Sequence, residues 1–377
     1  MTERFRKDFI PELDGLRGIA VLLVLWIHLP GGALGVSISG LRQVVLPGNL
    51  GVDLFFVLSG FLITRILLVD RERGVPLRKF LIRRFLRIFP IYYLTIAVML
   101  PKLSWEDVLV CSTYTSNYGY MLIEHRSPME HTWSLAVEEH FYLLWPPLVA
   151  FLAPVRSRRI LLLGILPLTV AASLALMIWG NWAEYGTELA EVQLRSSLVR
   201  FFSLGLGALL AYHELTVRAR PLLSLCLIAG AASVCWLLSI RGLATVGLWA
   251  PLQEHFKDAG GFFQPFSSVR VLAIPFGSLA AVMFAIAYTG SKNPLSMILR
   301  SRPLRSIGRI SYGLYLYHFP IFSSGVWGFE STFPEPVRVV VVLTTCFVVA
   351  TLSYHVIERP LLQFASRFRA PTAPAAA

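Results

Sequence analysis

An arginine and a histidine stand on one apolar stretch, Asp14-Gly-Leu-Arg17-Gly-Ile-Ala-Val-Leu-Leu-Val-Leu-Trp-Ile-His28. At the α-helical rise they lie roughly 16 Å apart along the axis, about half the hydrocarbon thickness of a bilayer. Ionisable groups inside a membrane are costly, so they mark functional positions and need polar company. Imidazole exchanges protons near neutral pH, which makes His28 a candidate general base toward a hydroxyl. The plainer alternatives are an arginine snorkelling to an interface and an interfacial histidine bonded to backbone.

Further groups follow the same logic. Asp53, in Gly51-Val-Asp53-Leu-Phe-Phe-Val-Leu-Ser59-Gly60, falls at about the depth of His28. It either orients or charge-stabilises an imidazole, or caps the start of a helix. Ser59 and Gly60 suit close helix packing better than nucleophilic work. Arg78, Lys79, Arg83, Arg84 and Arg87 recur at helical spacings. Guanidinium forks fit phosphate oxygens, so this run is either a wall for a nucleotide-like donor or an anchor on lipid phosphates. In His131-Thr-Trp133-Ser134-Leu-Ala-Val-Glu138-Glu139-His140-Phe-Tyr142, the adjacent glutamates point about 100° apart. Glu138 shares a face with His131, Ser134 and Tyr142 and is the preferred cavity residue, while Glu139 is left to pair with a neighbouring cation. Ser311, Tyr315 and His318 fall near one stripe of a later span. His355, Glu358 and Arg359 read as an ion pair at the end of the last span.

The elements that position these groups are membrane helices. A chain of 377 residues with 55% hydrophobic and 15% charged residues, and a mean hydropathy of +0.64, is too apolar for an ordinary soluble domain. We expect an all-α polytopic fold with about ten transmembrane helices near residues 11-30, 51-69, 86-101, 131-153, 160-180, 195-213, 220-240, 268-290, 308-327 and 336-356. Residues 243-252 are too short to cross. The basic loops alternate with loops poorer in Lys and Arg, which places both termini in the cytoplasm. The same alternation explains the net charge of +12 better than a nucleic-acid partner does. The first span follows Arg4, Arg6 and Lys7 without a cleavage site and reads as retained. Cys111, Cys226, Cys235 and Cys346 show no metal spacing and read as inert core thiols, so no metal site is expected. Residues 1-367 form the membrane domain, 368-377 read as a disordered Ala/Pro tail, and no transporter-type internal repeat is evident.

Taken together, these motifs resemble the membrane-bound acyltransferase family 3, the integral-membrane O-acyltransferases of cell-surface glycans. The resemblance rests on Pro11-Glu-Leu-Asp14-Gly-Leu-Arg17-Gly with the Arg-x10-His pattern, on Gly51 to Ile63, and on the Arg-rich start of span three. It continues through Thr132 to Tyr142 and Ser311 to His318, and informs residues 155-300 least. It implies that Arg17 and His28 are an essential pair and that acetyl-coenzyme A is the usual donor. Some relatives carry an extracytoplasmic esterase-like domain, and this chain is expected to act alone or with a separate partner.

On that reading His28, Arg17 and Glu138 are the catalytic candidates, and Arg83, Arg84, Arg87 and Arg17 the donor-binding ones. Asp53, Asn117, Trp133, Ser134, Glu139, Tyr315 and His318 are the substrate-binding candidates, with Ser134, Asn117 or a tyrosine available to steady an oxyanion. The expected function is transfer of acetyl from cytoplasmic acetyl-CoA to a hydroxyl of an extracytoplasmic or lipid-linked glycan, in the bacterial cytoplasmic (inner) membrane among its lipids. Direct transfer and an acyl-histidine intermediate both stay open. The alternatives are a proton-coupled transporter of a lipid-linked sugar or small molecule, and an O-acyltransferase of a secondary metabolite.

Overall fold

The computed structural model describes residues 9–29, 50–123, 125, 127–182, 195–219, 265–323 and 335–368. Among these residues every regular element is a helix and no strand occurs. In chain order they are α1 (Pro11–His28), α2 (Leu50–Glu72), α3 (Leu77–Met99), α4 (Trp105–Ser112), α5 (Ser116–Gly119) and α6 (Trp133–Phe151). Then come α7 (Pro154–Ile160), α8 (Leu166–Trp182), α9 (Ser197–Tyr212), α10 (Glu214–Ala219) and α11 (Pro265–Ala287). The last are α12 (Pro294–Leu299), α13 (Arg302–Arg309), α14 (Ser311–Phe322), α15 (Glu335–Ser353) and α16 (Arg359–Ser366).

Four helical stretches are long and apolar enough to cross a membrane: Leu50–Glu72, Leu77–Lys102, Pro154–Leu176 and Val337–Ser366. The expected span 220-240 and the stretch 243-252 lie outside the described residues. Within them, two expectations change. The basic segment expected as a loop from Asp70 to Arg87 is mostly helical, because α2 runs on to Glu72 and α3 begins at Leu77. Good helix formers fill Leu77 to Phe89 with no Gly or Pro, and the turn is confined to residues around Gly74, whose φ of +65° suits glycine. The expected span 308-327 is likewise broken at Ile310, which separates the basic helix α13 from the apolar α14.

Helix α2 is the hub, mostly buried and packed against α1, α6, α9 and α11. Its crossing with α9 is made by two glycines. A Cβ on Gly60 would collide with the Leu204 carbonyl, and one on Gly207 with the Val57 carbonyl, so the two backbones meet directly. The outer helix formed by Val337–Ser366 is mostly exposed, as a lipid-facing surface requires. Arg71 donates to the carbonyls of Val149 (2.9 Å), Ala150 (2.9 Å) and Leu152, capping the C-terminus of α6. Arg83 binds Asp70 and donates to the Phe368 carbonyl (2.7 Å).

Helices α4 and α5 form a small polar layer between α3 and α6. A capping box starts α4: the Asp107 amide donates to Ser104 Oγ (3.1 Å) and the Ser104 amide to Asp107 Oδ2 (3.0 Å). His125 Nε2 lies 3.1 Å from the same carboxylate oxygen. Burial pushes the Asp107 carboxyl up, but hydrogen bonds from His125, the Ser104 amide and Ser127 outweigh it and hold the group below its ordinary range. A carboxyl depressed by folding stabilises fully above its unfolded pKa and loses that contribution as pH falls through its folded value. Unfolding midpoints in detergent should therefore drop on acidification below the ordinary carboxylate range, and Asp107→Asn should flatten that dependence. An unchanged acid limb in the variant would place the titration elsewhere.

Candidate active site

Three histidines from distant parts of the chain meet. His28 ends α1, His131 lies in the 3-10 turn Glu130–Thr132 that leads into α6, and His318 sits in α14. The rings of His28 and His318 have centroids 5.0 Å apart, and those of His131 and His318 are 5.2 Å apart. Phe319 packs against His28 (5.4 Å) and His131 (5.3 Å), holding the group together.

Each imidazole is fixed by one backbone carbonyl. His28 Nδ1 donates to the Val24 carbonyl (2.8 Å), His131 Nε2 to the Leu316 carbonyl (3.1 Å) and His318 Nδ1 to the Tyr315 carbonyl (2.5 Å). A carbonyl only accepts, so in each neutral ring the bonded nitrogen carries the hydrogen and the other offers a lone pair. His28 therefore presents Nε2 as a proton acceptor, the state a general base needs. The Tyr315 hydroxyl donates to the His131 carbonyl (2.9 Å) and receives a hydrogen bond from Ser134 Oγ (2.5 Å). Ser134, Tyr315 and His318 thus stand with His28, and the imidazoles are set by rigid helix ends and turns.

Arg17 lies about three turns from His28 on the same face of α1. Its only ion pair among the described residues is a loose one with Asp14, 3.6 Å away. Arg87, exposed on α3, makes no hydrogen bond or ion pair among the described residues. The two guanidiniums lie within electrostatic reach of each other. Arg87 is also within electrostatic reach of the Glu358 carboxylate.

A polar knot connects the two ends. Arg84 Nη2 contacts Glu139 Oε1 (3.0 Å) and lies 3.9 Å from Glu138 Oε2, and its guanidinium stacks 3.0 Å from the centre of the Tyr142 ring. Tyr142 donates to Glu138 Oε2 (3.2 Å) and also bonds Ser59. Arg17 is within electrostatic reach of both Tyr142 and Glu138. Both adjacent glutamates thus face one arginine.

Other sequence candidates stand apart. Asp53 is fully buried, with Oδ1 and Oδ2 at 3.1 and 3.0 Å from Arg200 Nη1 and Oδ1 at 2.6 Å from Ser203 Oγ. Arg200 also lies 5.6 Å from the Trp133 ring, so Asp53 and Trp133 share a buried anchor between α2, α6 and α9. Asn117 donates to Ser197 Oγ (3.0 Å) and the Arg195 carbonyl (3.2 Å) and makes no direct bond to the three histidines among the described residues. Arg83 and Arg84 each have a carboxylate partner, Asp70 and Glu139 respectively.

Sequence reasoning did not single out His131 as a member of the cluster or Arg200 as an intramembrane partner. Arg200 carries the same signal as Arg17, an arginine on an apolar helix. His131 directly precedes the Thr132 to Tyr142 motif, but nothing local reveals its approach to His318. Among the described residues, no group of three His, Cys, Asp or Glu side chains is placed to hold a metal ion.

A family model described as an acyltransferase domain matches residues 10–355. The chain is 30% identical over 388 residues to the peptidoglycan O-acetyltransferase OatA of Listeria monocytogenes, covering 96% of this chain and 57% of that protein. It is 29% identical over 400 residues to the O-acetyltransferase OatA of Staphylococcus aureus, covering 96% and 58%. The chain thus spans somewhat more than half the length of these curated relatives. No solved structure matches it.

Proposed function

The chain belongs to the acyltransferase domain family, and from that premise we propose that it transfers acetyl from acetyl-coenzyme A to a hydroxyl of peptidoglycan or a related cell-surface glycan. The observation that carries this reading is the geometry of α1. It holds an uncommitted arginine and a lone-pair-bearing histidine on one face, at opposite ends of a polar path.

At one end Arg17 and Arg87 bind the anionic part of the donor. This assignment differs from an arginine wall of Arg83, Arg84 and Arg87, because Arg83 and Arg84 already have carboxylate partners. The acyl thioester then extends along the Arg84, Glu138 and Tyr142 knot toward the histidines. At the other end His28 Nε2 takes the proton of the acceptor hydroxyl as its oxygen forms the new ester bond at the thioester carbonyl. The carbon–sulfur bond breaks, and the proton passes from His28 to the departing thiolate. The Ser134–Tyr315 pair lies beside this carbonyl and holds the His131 turn in place. The path runs through roughly half the thickness of the cytoplasmic membrane, with the arginine end toward the cytoplasmic side and the histidine end toward the outer side, in keeping with the distribution of basic loops.

Purified protein supplied with acetyl-coenzyme A and glycan strands should yield an ester-linked acetyl mass increment on the glycan. A protein that neither binds nor cleaves acetyl-coenzyme A while moving a lipid-linked sugar would replace this reading with transport. Replacing Arg17 or Arg87 with glutamine should weaken acetyl-coenzyme A binding about tenfold to a hundredfold each, the worth of one charge-assisted hydrogen bond. Calorimetric or fluorescence titration of the donor measures this. Wild-type donor affinity in the double variant would remove the arginine pair from the donor site.

A further inference from the structure

Two lone pairs beside His28 have no use in the proton transfer just described. His131 Nδ1 and His318 Nε2 are buried and have no hydrogen-bond partner among the described residues. His131 is 4% exposed and His318 not exposed at all. Both rings donate their single hydrogen to a helix carbonyl, so both remaining nitrogens are pure acceptors. Leaving a buried acceptor unmade is destabilising, and two such atoms on adjoining rings, with His318 packed against His28, are a specific feature. What they lack is hydrogen-bond donors.

We infer that His131 Nδ1 and His318 Nε2 form an accepting subsite for the acyl acceptor, reading O–H or N–H groups that flank the hydroxyl attacked at His28. The inference rests on the proposed function and narrows its substrate class. The acceptor is a molecule with several closely spaced donors, as a carbohydrate is, and not an isolated alcohol on an apolar skeleton. A ring with neighbouring donors satisfies both lone pairs while its reacting hydroxyl meets His28. An acceptor without them leaves both nitrogens buried and unpaired, which is how a polar site rejects an analogue lacking the group it was built to bind.

Substitution separates this role from a structural one. His318→Phe keeps an aromatic ring, removes the orphaned acceptor and gives up a hydrogen bond to a carbonyl that α14 already engages. His318→Gln keeps an acceptor near the position of Nε2. The Phe variant should retain or exceed the wild-type unfolding midpoint in detergent. Its KM for a glycan acceptor should rise about tenfold to a hundredfold, the worth of an unsatisfied buried group, with the KM for acetyl-coenzyme A unchanged, and the Gln variant should recover part of the loss. Methylating the donors that flank the reacting hydroxyl should weaken acceptor binding to the wild type by a similar factor and leave binding to the Phe variant unaffected. Binding is read by titration of the unlabelled glycan, so it reports on the subsite even if no acetyl transfer is detected; absence of transfer by the wild type would count against the proposed function alone. Equal binding of free and methylated glycan by the wild type, or a loss of stability in both variants with normal acceptor binding, would overturn the subsite.

Discussion

Replacing His28 with alanine is expected to lower the rate of acetyl transfer about 10²- to 10⁴-fold, the usual contribution of a positioned general base. Donor binding should be unchanged, because the proposed donor site includes Arg17, three turns away on α1, and Arg87 on α3. The fold should survive as well. His28 is the last residue of α1, partly exposed, and its one hydrogen bond goes to the Val24 carbonyl four residues back. The effect should appear in kcat more than in KM. His28→Gln offers a neutral acceptor of similar reach with negligible basicity, so it should be as inactive as alanine if proton abstraction is the role. Single-turnover acetyl transfer with saturating donor distinguishes these cases, and a normal rate in either variant would remove His28 from the chemistry.

Replacing Asp53 with alanine is expected to cost stability on a different scale, about 3–5 kcal/mol, because it removes a buried carboxylate that accepts hydrogen bonds from both Arg200 and Ser203. Arg200 is 1% exposed and Asp53 fully buried, so water cannot take over. The position is also fixed by backbone contact. Gly60 and Gly207 bring α2 and α9 together, so Arg200 cannot withdraw without separating helices at the hub of the fold. Asp53→Asn should cost less, since a side-chain carbonyl still accepts from Arg200 and Ser203. Replacing both partners with apolar residues of similar volume should recover most of the loss, as buried ion pairs generally add little net stability over a well-packed apolar pair. Thermal unfolding of the detergent-solubilised protein measures the series. A wild-type midpoint for Asp53→Ala would mean that the pair is not the anchor between α2 and α9.

Local pattern made much of this legible. The apolar runs announce a helical membrane protein, and the spacing of Arg17 and His28 places both on one face of one helix before any contact is known. The cost of intramembrane charge singles out Asp53, Glu138 and Glu139. What the sequence does not carry is pairing between segments far apart in the chain. Asp53 falls near the depth of His28, yet its partner is Arg200, because the glycine-mediated crossing of α2 and α9 decides which cation reaches it. Arg83, Arg84 and Arg87 look alike in a periodic run, but Asp70 and Glu139 pair closely with the first two, while the third has only the longer-range attraction of Glu358. The lone pairs of His131 and His318 become visible only when the carbonyls of Leu316 and Tyr315 have claimed the other nitrogens. Helix extent was misjudged for a local reason. Charged residues between Asp70 and Arg87 suggested a loop, whereas Lys, Arg and Leu are all strong helix formers and continue α3.

The proposed path has a donor end at Arg17 and Arg87 and an acceptor end at the three histidines. It is tested most directly in sealed vesicles holding the protein in one orientation, with acetyl-labelled coenzyme A supplied only on the Arg17 side of the membrane and glycan strands only on the His28 side. Label should appear in ester linkage on the glycan while free coenzyme A stays on the donor side. Both should be lost on His28→Gln, and the apparent donor KM alone should rise on Arg17→Gln. Transfer that occurs only when donor and glycan share one side of the membrane would contradict the path.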